Sequence, residues 1–205
     1  MPKVKLTKGE LKRQRDALRQ YERYLPTLQL KKQQLQLEIH RQTAFFREKT
    51  AYMEEKKEAV EKWAGLLSDR EIDVRPWVKP TCVIAGSRNI AGVDIPVFER
   101  AEFTSAGYDL FATPLWVDAG ITALRELVSV REEAAMIEKG INILKDEMRI
   151  TTQRVNLFEK VKIPEAKEVI RLVKIYIGDQ MANAVGRSKI AKRKIEEFML
   201  REAAV

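Results

Sequence analysis

Side chains that commonly do chemistry are scarce in this 205-residue sequence. There is one histidine, His40, and one cysteine, Cys82. A structural zinc site of the His/Cys kind needs four such ligands and cannot form within one chain. A lone Cys82 also excludes an internal disulfide framework. Cys82 lies in the β-branched run Thr81-Cys82-Val83-Ile84 with no base beside it, so a small buried apolar role is expected. His40 adjoins Ile39 and is expected on the partly exposed flank of a helix seam. The sequence has no G-x-x-x-x-G-K-[ST], no G-x-G-x-x-G and no H-E-x-x-H pattern. Its carboxylate pairs, such as Glu54/Glu55 and Glu132/Glu133, are adjacent in sequence and diverge on a helix. Acid–base catalysis needs carboxylates held in a pocket that shifts their pKa. No catalytic residue, cofactor or metal is therefore expected.

Charge is the next candidate for function. The chain has 38 Lys/Arg against 30 Asp/Glu, a formal net charge of +8. Its distribution is uneven. Residues 1–32 hold 10 basic and 3 acidic side chains, and 81–120 hold 2 basic and 5 acidic. Near the other end, Arg187, Lys189, Lys192, Arg193 and Lys194 form a run uninterrupted by acid. Basic ends suit an acidic protein surface or a polyanion. No aromatics interleave with the run at 187–194 and no known nucleic-acid-binding pattern is present, which argues against nucleic acid. The lack of bulky aromatic anchors in that run argues against a membrane surface. No stretch of 18 apolar residues exists, and the basic start lacks an apolar segment after it. No membrane insertion or secretory signal is expected, and the cytoplasm is the default compartment.

The elements that carry these residues follow from periodicity. A seven-residue ladder runs Leu11, Leu18, Leu25, Lys32, Ile39, Phe46, Met53, Val60, Leu67, apolar at all but one position. Its companion, Gln14, Tyr21, Leu28, Leu35, Gln42, Lys49, Lys56, Trp63, is half apolar. This is the pattern of a long coiled-coil helix with a narrow seam. A helix over 8–68 would span roughly 90 Å. Thr7 and Glu10 form a capping-box pattern at its start, and Pro26 predicts a kink within it. A second pair of ladders, Leu127, Ala134, Ile141, Met148, Val155 and Val130, Ile137, Leu144, Thr151, Phe158, has one polar member. Pro164 is expected to break that helix or sit in the first turn of the next. Beyond it, the step Val173, Ile177, Met181 suggests a phase shift, and Ala184, Ser188 and Ala191 would admit a close partner. Between the helical blocks, Thr81–Ile84 and Ala91–Val97 are strand candidates, with a turn expected over Ala85-Gly86-Ser87-Arg88-Asn89. Pro96 marks an edge or an end. Phe103 to Gly120, with Tyr108, Phe111 and Trp116, is expected to be loop or short helix. The expected fold is mostly α: a long antiparallel two-helix coiled coil with a small β-hairpin head in mid-chain. Its blocks are a helix over 1–68, a head over 69–120, and a helix over 121–205 that is broken or kinked near Pro164. The hairpin places both basic ends at one tip and the acidic head at the other.

The segment Thr151-Thr152-Gln153-Arg154-Val155-Asn156-Leu157-Phe158-Glu159, followed by Val161-Lys162-Ile163-Pro164, resembles the signature of the D subunit of the V-type and archaeal-type rotary ATPases. The family pattern is close to T-x-R-R-V-N-A-L-E, then V-x-I-P. Thr151, Arg154, Val155, Asn156, Glu159, Ile163 and Pro164 match it in register. Gln153 and Leu157-Phe158 depart from it, where Arg and Ala-Leu are common. Leu6-Thr7 and the stretch Asn89 to Pro96, with Gly92, Val93, Ile95 and Pro96 as the head strand, are similar to the family too. The Leu25-Pro26-Thr27-Leu28 stretch resembles the bacterial V-type branch. The resemblance covers nearly the whole chain.

That resemblance implies a central rotor stalk component, non-catalytic itself, that transmits torque between a membrane ion ring and a catalytic ring of A and B subunits. It implies further partners in the F subunit, on the side of the stalk, and in the funnel-shaped subunit on the membrane ring. It implies a peripheral place on the cytoplasmic face of the membrane. Arg13, Arg15, Lys189, Lys192 and Arg193 are then expected to face acidic residues of the A/B ring. The signature residues are expected to set helix-pair geometry or to contact the F subunit. A coiled-coil scaffold or adaptor shares the architecture and remains an alternative, as does a basic nucleic-acid-binding protein.

Overall fold

Thr7 starts the first helix. Its Oγ1 accepts the N–H of Glu10 at 3.2 Å, and its carbonyl accepts the N–H of Leu11 at 3.0 Å. Only half of the capping box forms, because the Glu10 carboxylate takes the side-chain amide of Gln14 at 2.8 Å. The computed structural model describes residues 5–68, 73–107 and 113–202. Tyr108 and Phe111 lie outside the described residues. The elements are α1 (Lys8–Glu61), a 3₁₀ turn (Ala64–Ser68), α2 (Arg75–Val78), β1 (Pro80–Ile90), β2 (Val93–Phe103), α3 (Trp116–Leu157), a π-helical turn (Phe158–Lys162) and α4 (Ile163–Glu202). The fold is mostly α, with a long helix pair and one antiparallel hairpin. Residues pack into two units, Leu30–Thr152 and the combination of Met1–Gln29 with Gln153–Val205.

In the unit Leu30–Thr152, α1 and α3 run antiparallel. Lys31 pairs with Glu147 at 2.7 Å, Lys49 with Glu133 at 3.0 Å and Lys56 with Glu126 at 2.8 Å, so partners on α3 recede as α1 advances. The two heptad ladders face each other. Leu35 and Leu144 are fully buried, and Val130, Ala134 and Ile141 are buried with them. Leu37, two residues from Leu35 but on the opposite face of α1, is 55% exposed. One narrow seam therefore carries the burial. His40 is exposed, as its flanking place predicts.

The hairpin does not stand off the end of the helices as a cap. Ile95 packs with Leu35 and Leu144, and Ile39, Ile90, Ala91, Val93 and Met148 border that cluster. The turn end of the hairpin thus lies along the α1–α3 seam, at the level of Leu35 and Leu144. Gly140 of α3 faces it, and a Cβ there would stand 3.7 Å from the Ile95 Cβ, an ordinary van der Waals contact. At the hairpin's open end, Arg125 of α3 donates from Nε to the Trp77 carbonyl at 2.9 Å and from Nη2 to the Thr104 carbonyl at 2.6 Å. Its guanidinium lies 5.4 Å from the Phe103 ring centroid. Arg125 holds the chain where it enters and where it leaves the sheet.

Two expectations about the hairpin are corrected. The turn is not Ala85–Asn89, which lies within β1, but Ala91-Gly92, with Ile90 opposite Val93. Both turn residues have positive φ, 52° and 79°, the geometry that matches the twist of a two-residue hairpin. Asn89 braces the turn. Its Oδ1 accepts the N–H of Gly92 at 3.1 Å and its Nδ2 donates to Asp94 at 2.7 Å. Cys82 is exposed, not buried. It pairs with Glu102 near the open end of a sheet of only two strands, where no further layer covers it.

In the other unit, Tyr21 of α1 stacks on Phe158 with ring centroids 5.4 Å apart, and Lys167 reaches Glu22 at 3.7 Å. Val155, Ala166, Ile170 and Val173 are buried. α1 continues through Pro26, whose neighbour Thr27 donates its hydroxyl to the Tyr24 carbonyl at 2.8 Å. The covered seam of α4 ends at half-buried Ile177, and every residue from Gly178 to Met199 is exposed.

Two substitutions test this packing. Leu144→Ala should cost about 2–5 kcal/mol, the range for a fully buried leucine. Ala91→Gly should stabilise by about 1 kcal/mol, because glycine carries no penalty at positive φ. Denaturant titration of each variant measures both, and a destabilised Ala91→Gly would contradict the turn geometry.

Candidate interaction surfaces

The signature segment builds a register change. In a strict heptad the seam residue after Phe158 by one repeat would be Glu165, yet the buried residue is Ala166. One extra residue has to be absorbed. The π-helical turn Phe158–Lys162 absorbs it, closed by the N–H of Ile163 on the Phe158 carbonyl, five residues back. Pro164 follows as the second residue of α4, where its missing N–H costs least. The phase shift expected at Val173–Met181 therefore sits earlier. The spacing there was misleading because Met181 is 53% exposed and is not a buried seam position.

The seven signature residues fall into two groups. Thr151 and Val155 are buried at 1% and 5% exposure, and Ile163 is half-buried. Arg154, Asn156, Glu159 and Pro164 are exposed. The first group holds the seam and the second is available to a partner. On the hairpin, Ile95 is buried, Val93 and Pro96 are half-buried, and Gly92 forms the turn.

The basic residues stay on the surface. Arg13 and Arg15 are exposed on α1 between the half-buried Leu11, Gln14 and Leu18. Lys189, Lys192 and Arg193 are exposed on the part of α4 past Ile177 that α1 does not cover. Lys192 and Arg193 reach Glu196 and Glu197 along their own helix, at 3.7 Å and 3.6 Å. No described contact joins Arg13 or Arg15 to this run, so the structure does not gather the five into one cluster. The small residues Ala184, Ser188 and Ala191 are exposed beside Val185, Ile190, Ile195 and Phe198, which leaves a mixed apolar and basic helix face open.

Sequence reasoning passed over Arg125, Gly140 and the trio Lys56, Glu126, Tyr52. Gly140 carried a signal, a glycine inside a strong helix-forming run. In the trio, the Tyr52 hydroxyl donates to Glu126 at 2.9 Å beside the Lys56 ion pair. Hydrogen bonds from Lys56 and then Tyr52 hold the Glu126 pKa below its ordinary value, and the bond to Glu126 raises that of Lys56. Among the described residues no cluster of His, Cys, Asp and Glu could hold a metal, and no helix is long and apolar enough to cross a membrane.

Comparison with known proteins bears on which partners these surfaces meet. The family model for the D subunit of ATP synthases matches residues 10–193. The chain is 45% identical over 195 residues to the V-type ATP synthase D subunit of Borreliella burgdorferi, covering 95% of this chain and 96% of that protein. It is 37% identical over 198 residues to the protein of that name from Chlamydia abortus, covering 95% and 94%. It is 32% identical over 196 residues to that of Chlamydia trachomatis serovar L2, covering 95% and 97%.

Two tests follow from this geometry. Deleting Val161 from the π-helical turn together with Pro164→Ala should restore a plain heptad and leave stability unchanged or higher, whereas the deletion alone should cost about 3 kcal/mol, because Pro164 then sits inside an uninterrupted α-helix. Deleting Leu172 should cost at least about 3 kcal/mol, because Val173 leaves the seam. Thermal melts compare the two. The trio predicts a sign for pH. A carboxylate with a lowered folded pKa contributes stability above the ordinary carboxylate value and loses it as pH falls through the lowered one. Melting temperature should therefore fall on acidification through that range, and Glu126→Gln should make the fall shallower.

Proposed function

The chain belongs to the family of ATP synthase D subunits, non-catalytic parts of V-type ATP synthases, and from that premise we propose that it is the central stalk of a rotary enzyme. In this reading it carries torque between a membrane ion ring and a catalytic ring of A and B subunits, on the cytoplasmic face of the membrane. The observation that carries the reading is the continuous exposure of α4 from Gly178 to Met199. A helix of 22 such residues with no cover from its own chain suits a sleeve formed by other subunits.

Physical requirements of the job agree with the elements present. Torque needs stiffness, and α1 is a single helix of 54 residues packed antiparallel on another. Turning within a sleeve needs contacts that form and break at low net energy. Exposed ion pairs meet that need, being worth about 0–1 kcal/mol each and screened by salt. Lys189, Lys192 and Arg193 face acidic residues of the A/B ring in this reading, and Arg13 and Arg15 do the same on α1. The F subunit takes the side of the stalk, with Arg154, Asn156 and Glu159 exposed toward it. The funnel-shaped subunit takes the part of the stalk nearer the membrane ring.

The test is neutralisation. Lys189→Gln, Lys192→Gln and Arg193→Gln together should leave the melting temperature of the isolated chain within about 1–2 °C, since surface changes are worth about ±0.5 kcal/mol. The same triple variant should lower ATP turnover and torque in the assembled enzyme. Unchanged assembly and turnover would refute the assignment of these residues to the ring.

A further inference from the structure

The hairpin has two free edges, and they are not equivalent. An antiparallel ladder alternates between pairs that exchange both main-chain bonds and pairs that exchange none. Pro96 has no N–H and lies opposite Ser87, so that pair is of the second kind. The ladder bonds then belong to Ile90/Val93, Arg88/Ile95 and Gly86/Val97. The N–H and C=O groups of Ala85, Ser87 and Asn89 point away from β2, out of the β1 edge. On β2 the matching outward positions are Asp94, Pro96 and Phe98.

The β2 edge is guarded in two ways that natural sheets use against pairing. Pro96 removes a donor at its centre. A bulge at Glu99, where Ile84 faces Arg100 and Ala85 faces Phe98, breaks its line. β2 is also the strand turned toward α1. A cleft of about 420 Å³ against Glu38, Arg41, Gln42 and Phe45 of α1 and Glu133, Ile137 and Gly140 of α3 is lined by Ile95, Pro96, Val97 and Phe98, and by Arg88 alone from β1. The β1 edge has neither proline, lysine nor bulge between Ala85 and Asn89. Its side chains Ala85, Gly86 and Ser87 are small, and Ala85, Ser87 and Asn89 are exposed. Among the described residues no main-chain hydrogen bond reaches β1 from outside the hairpin. Arg88 shares the cleft with Glu38 and Glu133, but these pair with Arg41 and Lys49, and no described ion pair includes Arg88.

We propose that the β1 edge accepts an extended strand of a partner protein, which pairs by main chain with Ala85, Ser87 and Asn89 and sets a carboxylate beside Arg88. An added strand satisfies the outward donors and acceptors and extends the hairpin to three strands, the size at which a sheet becomes stable in its own right. The inference goes beyond the stalk reading and draws on it only for the assembly that supplies the partner.

Amide exchange resolved to single residues in 82–90 tests it, on the isolated chain and on the chain purified within its native assembly. Exchange at Ser87 and Asn89 should slow by about tenfold or more on assembly. Ser87→Pro removes the central outward donor and leaves every ladder bond intact, so the isolated variant should keep its far-ultraviolet spectrum. It should weaken retention of the partner by about tenfold, as Arg88→Glu should, while Ser87→Ala retains it. Equal exchange rates in the free and assembled states would overturn the proposal. Equal retention by Ser87→Pro and Ser87→Ala would do the same. Protection that rises with concentration of the isolated chain would assign the edge to a second copy and overturn the partner strand. Recovery in a complex without ATPase subunits would overturn the stalk reading, and exchange at Ser87 in that complex would still decide the edge.

Discussion

One constraint organises the molecule: the apolar residues of each long helix form a stripe narrower than half its circumference, and each stripe has only the other to cover it. The 3.5-residue spacing keeps the stripe on one side over many turns, which a straight helix of 3.6 residues per turn does not. Short-range propensity cannot hold helices of 54 and 42 residues in a defined pairing. The facing ladders can. Leu35 against Leu144 and Val173 in the other unit are fully buried, while residues two positions away in sequence remain in water. Charged pairs such as Lys31–Glu147 flank the seam and fix which residues face each other, more than they add stability.

The hairpin depends on the same seam. Two strands alone are marginal in water and need an apolar surface to rest on. Ile95 finds it at the Leu35–Leu144 level, beside Gly140. Arg125 then spans the hairpin's open end with two hydrogen bonds to main-chain carbonyls. Hydrogen bonds from a charged donor are among the stronger kind, each worth about 1.5–3 kcal/mol. The strap is thus pinned at both ends by residues of α3, one apolar contact and one cation.

What was legible in the sequence was what repeats. The ladders recur often enough that no single residue decides them, so the helix pair and its antiparallel sense could be read directly. The turn could not. Ala85-Gly86-Ser87-Arg88-Asn89 has better turn composition than Ala91-Gly92, but the register is decided by which strand face meets the helices, a contact between residues distant in sequence. Asn89 was noticed as a turn residue and is one, acting by its side chain on the turn that follows it. Cys82 was misplaced for a related reason, since a β-branched run suggests burial only if a sheet has layers on both sides. The exposed basic residues were readable as types, but their separation along α4 depends on where α1 begins.

The family signature gains a physical meaning from the register change. A motif shared across a family invites the reading that its side chains touch something. Here Pro164 cannot donate to the carbonyl four residues before it, and an uninterrupted α-helix would leave that carbonyl unpaired. The π-helical turn relocates the defect and inserts one residue, so that Phe158 still meets Tyr21 and Ala166 still enters the seam. Ile163 supplies the closing N–H, and Thr151 and Val155 hold the seam before the turn. The motif's order, buried residues first, π turn second, proline last, is the order in which a coiled coil must change phase without losing contact. Arg154, Asn156 and Glu159 play no part in that sequence of events and stay in solvent. Those three are therefore the signature residues that the chain's own packing leaves unexplained, and the remaining four are accounted for by the change of phase.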